Sequence, residues 1–311
     1  MDLTLNEDQL AVAGAIDKLA EQFASSPVDF HGFALVSETL QQELEEGGYF
    51  DIAAVPEMGP LSAADAIYRL AQLPYTAEVA LSMLVGPVLD ELALPVEIQR
   101  PFTVIDNQRP GRFAATAKTL IFVDGEKVGV ASSDQPDQKL AEPLPDSLYA
   151  YPMARIPETP NIHWLNDSDA QRVQAALRVA TAAEMAGLIQ AAITTTVEHV
   201  SVRKQFGHPI GTFQALRHRL SECAVLAGGV RWLAFKAAWS SDAGDAALAL
   251  LHAQESATRV IYDVHQMSGA MGMTLEMDLH LWTYRLKALM SELGGRAGNA
   301  QAVGEACFSS L

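Results

Sequence analysis

An alanine-rich helical pattern runs from Ser168 to Val202, and a second helical pattern leaves at about Thr212. Between them stands Arg203-Lys204-Gln205-Phe206-Gly207-His208-Pro209-Ile210-Gly211, which carries the Gly/Pro signals of a turn. The stretch reads as helix–turn–helix. It commits this half of the chain to helices that pack on one another. Further helical periodicity is expected over 245–270 and 277–307, the last broken at Gly294-Gly295. Together with 169–202 and 213–240 this makes a four-helix block. Ser168 with Gln171 has the spacing of a capping box for the first of these helices.

The remainder divides in two. Residues 1–95 read as helices. Leu10, Ala13, Ile16, Leu19, Ala20 and Phe23 keep the three/four spacing of one buried stripe. Further helices are expected over 33–47, from a cap at Ser62 with Asp65, and over 75–93. Between 96 and 165 the pattern changes to short β-prone pieces at 112–115, 119–123 and 127–131, with Asp124-Gly125 as a hairpin signal. Proline then becomes dense, at Pro136, Pro143, Pro145, Pro152, Pro157 and Pro160. The fold expected is α+β and mostly α: an N-terminal helical domain (1–95), a reduced β domain (96–165) and a C-terminal four-helix bundle (166–311).

Of the 311 residues, 49% are hydrophobic, which suits packed helices, and the formal charge of −17 argues against a nucleic-acid surface. Cys223 and Cys307 are too few for a disulfide framework and fit a reducing cytoplasm, Cys223 as a helix core residue. The start MDLTLNEDQL lacks the basic and apolar regions of a signal peptide, and no membrane span is expected. Eight histidines, His31 the first of them, show no paired spacing, and no HExxH or CxxC occurs, so no metal site is expected.

The chemistry concentrates in the turn. Arg203 offers a fixed fork of donors suited to a pyrophosphate, and Phe206 an apolar face for a ring. Thr212 and the start of the next helix add an anion-friendly spot, and Gln214 can pair with an adenine edge. The plain alternative is a connecting loop, with Arg203 on a surface carboxylate and Phe206 in the core. The string resembles the Arg-x-x-Phe-Gly-x-Pro-Ile-x-x-Phe-Gln signature of the flavin-dependent acyl-CoA dehydrogenases. A second stretch, Gln266-Met267-Ser268-Gly269-Ala270-Met271-Gly272-Met273-Thr274-Leu275-Glu276, resembles that family's Gln-x-x-Gly-Gly-x-Gly-Phe-x-x-Glu motif. Ala270 stands for a glycine there, and a positive φ at Ala270 would cost about 1 kcal/mol or more.

The resemblance implies an FAD held by its adenine–pyrophosphate end on Arg203, Phe206, Gln214, Gln266, Gly269 and Ala270. It covers 168–311 well and 1–95 only in helical character, and it fails across 96–165. There the family's Thr/Ser-rich flavin-contacting segment and its Trp-x-x-Ser/Thr strand have no counterpart. The family's two alternative positions for the glutamate base fall on Leu177 and Leu293. Leucine accepts no proton. Glu292 is one residue out of register and Glu184 is seven residues beyond Leu177.

In the family the flavin is shared across a subunit interface, and this chain keeps the half that reaches over. The resemblance therefore implies a base-less subunit of an α2β2 heterotetramer whose partner is a full-length acyl-CoA dehydrogenase. It would act on an acyl-CoA, by analogy one bearing a steroid side chain, with an electron-transferring flavoprotein as acceptor. Two alternatives stand beside it. One is a complete homomeric dehydrogenase using Glu292 or Glu184. The other is a non-enzymatic helical interaction module without flavin.

Overall fold

The computed structural model describes residues 1–27, 29–30, 32–107, 109–132, 141–158 and 160–308; His31 and Pro136 lie outside them. The N-terminal third is helical. In α1 (Glu7–Glu21) a capping box forms between Asn6 and Gln9, and Ala13, Ile16 and Leu19 are buried. Leu10, expected on the same stripe, is instead half exposed. The helix expected over 33–47 begins later, as α2 (Glu38–Glu46). Val36 is held in a bridge with Thr76, and the Ser37 hydroxyl accepts from the Leu40 N–H, which fixes the start.

Ser62 does not cap a helix. It lies inside α3 (Gly59–Leu70) and donates to the Met58 carbonyl. The 75–93 stretch gives two short helices, α4 (Ala80–Leu84) and α5 (Gly86–Asp90), because Pro87 has no N–H to continue the ladder.

The middle region forms two small sheets. One has the order β1-β3-β4-β7, from Phe102–Asp106, Thr119–Asp124, Lys127–Ser132 and His163–Trp164. The other has the order β2-β6-β5, from Gly111–Arg112, Met153–Arg155 and Glu142–Pro143. The hairpin expected at Asp124-Gly125 is present, with Asp124 opposite Lys127 in the β3–β4 register. The strand expected over 112–115 stops at Arg112. Phe113 adopts φ +62°, and its N–H donates to the Pro152 carbonyl.

The bundle consists of α6 (Asp167–Val202), α7 (Gln214–Ser240), α8 (Ala243–Ser268) and a fourth helix split into α9 (Leu279–Leu289) and α10 (Gly295–Phe308). The cap of α6 is Asn166, whose side-chain Oδ1 accepts from the Asp169 N–H, so Ser168 falls within the first turn. The split is fixed by positive φ at Leu293, Gly294 and Gly295 in succession. Two fully buried amides satisfy the carbonyls around it. Gln254 donates to Leu289 and Glu292, and Asn299 to Leu293 and Gly295.

One apolar core runs from Ile67 and Leu70 of α3 through Leu177 and Leu188 of α6 to Leu250 of α8 and Leu286 of α9. Cys223 is buried in α7. An 18-residue window of α6 reaches a mean hydropathy of 1.3, long and apolar enough by length and composition alone to cross a membrane. Its burial is 83% complete inside the bundle, so the apolar surface is covered by neighbouring helices. The architecture is α+β and mostly α: helices, a small β region, then the bundle.

Candidate functional site

Short links join α6 to α7 and α7 to α8, so these helices alternate in direction. The end of α6, the start of α7 and the end of α8 therefore lie at one end of the bundle. Both sequence stretches singled out above fall there. Arg203 closes α6, its N–H bonded to the His199 carbonyl. A two-residue hairpin follows, pairing β8 (Lys204–Gln205) with β9 (His208–Pro209).

Phe206 and Gly207 occupy the turn at φ +53° and +81°, the mirror-image turn that matches strand twist. Glycine adopts that conformation freely, whereas Phe206 is strained in it. The outcome is an aromatic ring held outward, 89% exposed, with its edge toward Phe213 at 6.2 Å. The connecting-loop alternative put Phe206 in the core and Arg203 on a carboxylate. The ring is outside, and the exposed Arg203 side chain makes no ion pair among the described residues.

Thr212 does not cap α7. Its hydroxyl donates to the Pro209 carbonyl, and the capping position belongs to Phe213, which has no side-chain acceptor. The helix start beside exposed Gln214 is thus uncapped and suited to an external anion. Across the same end, Gln266, Gly269 and Ala270 are exposed where α8 terminates. Gly269 takes φ +61°, ψ −143°, a conformation left almost entirely to glycine. Ala270 is right-handed at φ −59°, so the backbone cost anticipated for it does not arise.

The interior at Leu177 and Leu293 is organised differently. Both leucines are buried. Glu184 and Glu292 converge on Arg112, at 2.8 Å to Nη1 and 2.9 Å to Nε. The Tyr151 hydroxyl donates to Glu184 at 2.6 Å, and the Arg112 guanidinium lies over the Tyr151 ring at 5.3 Å. Burial disfavours the charge on Arg112, but Glu184 and Glu292 outweigh it and hold the guanidinium firmly protonated. Burial raises the Glu292 carboxyl above its ordinary range against the pull of Arg112. It also pushes the Tyr151 phenol well up, with Glu184 adding to the shift.

Two cavities flank this cluster. The one reaching Tyr151 and Glu184, among Ile67, Leu70, Val79 and Arg285, holds about 20 Å³, room for one water and not for an acyl chain. A larger one of about 410 Å³ opens between the β3–β4 turn, α6 and α10, against Leu293. It is lined by Arg178, Glu126, Glu305, Asp106 and Gln174. Burial lowers the Arg178 pKa, and Glu126 and Glu305 counter that effect.

Comparison with known proteins bears on the fold and the family. Residues 170–299 match the family described as acyl-CoA dehydrogenase, C-terminal domain. The acyl-CoA dehydrogenase IpdE2 of Mycolicibacterium smegmatis is 31% identical over 221 residues, covering 70% of this chain and 67% of that protein. FadE34 of Mycobacterium tuberculosis is 31% identical over 166 residues, 51% of this chain and 23% of that protein. The chain thus spans under a quarter of the length of FadE34.

Among solved structures, the steroid ACAD Tcur3481-Tcur3483 superposes with a TM-score of 0.81 at 18% identity, over 99% of both chains. The ChsE4-ChsE5 complex of Mycobacterium tuberculosis gives 0.77 at 18% identity, over 99% of both chains. Their likeness is one of fold. A relative matched over two thirds of its length and a C-terminal domain matched across most of the bundle place the chain in the acyl-CoA dehydrogenase family.

Proposed function

We propose that this chain is the flavin-holding subunit of a heteromeric acyl-CoA dehydrogenase and contributes no catalytic base. The observation that carries the reading is the outward-held Arg203–Phe206 hairpin, whose guanidinium makes no ion pair among the described residues and whose ring is 89% exposed. The end of the bundle fits the adenine–pyrophosphate half of FAD. Arg203 and the uncapped start of α7 suit the phosphates, Phe206 and Gln214 the adenine, and Gln266, Gly269 and Ala270 a close backbone approach. The flavin would accept the hydride, and its ring would lie in the partner, a full-length subunit that supplies the glutamate.

The interior supports the same division. Leucine occupies both base positions, Glu184 and Glu292 are engaged by Arg112 and Tyr151, the cavity that reaches Glu184 admits one water, and the cavity of about 410 Å³ is lined by neither glutamate. ChsE4-ChsE5 is a complex and Tcur3481-Tcur3483 a steroid ACAD. Carried over to this chain, they favour a heteromeric assembly that acts on a steroid acyl-CoA. The α2β2 stoichiometry and the side-chain substrate come from the sequence resemblance, and the cytoplasmic location from the scarcity of cysteine. An electron-transferring flavoprotein would receive the electrons.

Co-expression with a full-length homologue from the same genome tests the reading: the purified complex should be yellow and the chain by itself colourless. A chain that alone binds one flavin and oxidises an acyl-CoA overturns it. The homomeric alternative requires turnover to collapse in Glu292→Gln or Glu184→Gln. A colourless complex leaves the helical interaction module.

A further inference from the structure

The last turn of α8 has an outer face, with exposed Gln266, and an inner one. His265 stands one residue earlier, and a rotation of about 100° per residue turns it from that outer face toward α9. Its Nε2 lies 3.0 Å from the hydroxyl of Thr283, which is fully buried. That hydroxyl donates to the Leu279 carbonyl at 3.1 Å. With its proton directed there, it accepts from His265, so Nε2 carries the ring proton and Nδ1 carries none. Nδ1 is buried and has no hydrogen-bond partner among the described residues.

The main chain of the same residue closes the helix: the His265 carbonyl accepts from the Gly269 N–H at 3.1 Å. The chain then folds back on the turn it has just left. A Cβ at Gly272 would come within 2.7 Å of the Ser268 Cβ, and the Met273 N–H donates to the Ala270 carbonyl at 3.1 Å. Residues 269–273 are therefore carried by the end of α8. Ser268 Oγ is buried there without a partner, so among the described residues the polar tie from this turn to α9 is made by His265.

We propose that His265 is a positioning residue of the flavin-holding end. By hydrogen-bonding Thr283 it holds the Gly269–Met273 turn where Gln266, Gly269 and Ala270 face the ligand. The proposal rests on the flavin-holding role proposed above, and it assigns that role a support on the far side of the turn from the ligand.

The neutral ring is the form this position accepts. Burial lowers the His265 pKa, the Gly272 carbonyl counters that shift, and Lys287 and His280 of α9 add to it. Those two are the charged or titratable groups that bear on the ring among the described residues. A second proton would go to Nδ1 and bury a charge. A histidine whose folded pKa lies below its unfolded one supports the folded turn fully above the unfolded value, about 6.5. That support is lost as pH falls through the folded value. The grip on the ligand should therefore loosen in acid, below about pH 6.5.

Thr283→Val keeps the shape of the buried side chain and removes the acceptor. In the full chain without flavin, hydrogen exchange at the Gly269, Met273 and Thr274 amides should quicken by about 10-fold, while amides inside α6 keep their protection. Flavin release from the co-expressed complex should quicken by a similar factor, and Thr283→Ser should restore both. His265→Phe should give the same rise in exchange and serves where Thr283→Val fails to fold. In the parent complex, release should also quicken below about pH 6.5, and His265→Phe should lose that acid-dependent rise. A side chain that only fills space gives neither the rescue by serine nor the flattened pH profile. Exchange at the three amides unchanged in both variants overturns the proposal, and this readout needs no flavin. A complex that loses flavin on Arg203→Ala but responds to neither Thr283→Val nor His265→Phe overturns it too, with the flavin-holding role left standing. A colourless complex counts against that role alone, and exchange at the three amides then decides the positioning.

Discussion

Arg112 with Tyr151 in the interior and Arg203 with Phe206 at the end of the bundle are the same pairing of residue types in opposite settings. The chain surrounds Arg112 with its own counter-charges, Glu184 and Glu292, and buries the group. Among the described residues Arg203 has none, and Phe206 is held outward on a strained turn. An arginine whose charge is matched from within is structural, even though Arg112 Nη2 has no hydrogen-bond partner among the described residues. One without a counter-charge beside an uncapped helix start is available to an anion from outside. The contrast separates the region where a family member would do chemistry from the region that reaches toward another molecule.

The largest effect should come from removing the interior cation. Arg112→Met leaves Glu184 and Glu292 buried without a counter-charge, a loss of about 3–5 kcal/mol at neutral pH. The loss should depend on pH. Glu292 already has a raised carboxyl pKa and would lose the group that lowers it. A carboxyl whose folded pKa exceeds its unfolded value favours the folded state fully below the unfolded value. That advantage disappears as pH rises through the folded one. The variant should thus be closest to the parent below about pH 4 and fall progressively behind as pH rises above it. Urea unfolding across that range measures this, and a loss independent of pH would break the interior half of the comparison.

At the outer end, Arg203→Ala should leave unfolding unchanged, because the side chain is exposed and makes no ion pair among the described residues. Removing a charge-assisted contact to phosphate corresponds to about 1.5–3 kcal/mol of flavin affinity in the assembled complex. Released flavin, followed by fluorescence on dilution, reports it. Equal retention in variant and parent would remove Arg203 from the flavin site. A smaller interior effect sharpens the contrast. Tyr151→Phe deletes the donor to buried Glu184 and should cost about 1–2 kcal/mol in unfolding free energy, with flavin retention untouched.

The two regions also differ in how much of them the sequence made legible. The bundle end was readable because it is local: helix, Gly/Pro turn and helix lie within a dozen residues, and the turn types follow from Phe206-Gly207 and Gly269. The hairpin at Gly125 and the break at Gly294-Gly295 were visible for the same reason. The interior cluster was not. Arg112, Tyr151, Glu184 and Glu292 are brought together by contacts of 33 to 180 residues in separation, and no local period marks them.

Arg112 looked like the first residue of a strand, and Glu292 like a base displaced by one position. Capping positions failed on a finer scale. Ser62 and Ser168 are good cap residues, but Pro60 in the first turn of α3 and Asn166 before α6 set the starts earlier. Gln254 and Asn299, which hold the α9–α10 break, look like ordinary helix-surface amides until the carbonyls they serve are seen.

The smallest expected effect is the most discriminating between the two regions. Phe206 sits at φ +53°, where a non-glycine residue is strained by about 1 kcal/mol, and its ring buries little in return. Phe206→Gly should therefore stabilise the isolated chain by a few tenths to about 1 kcal/mol, readable as a raised urea midpoint. The same substitution should loosen flavin in the complex. A chain more stable yet poorer at holding its ligand is what strain retained for contact with another molecule produces. If Phe206→Gly destabilises the isolated chain, the ring has a packing role at home. The end of the bundle would then be self-satisfied in the manner of Arg112, and the distinction between the two arginines would no longer divide structure from recognition.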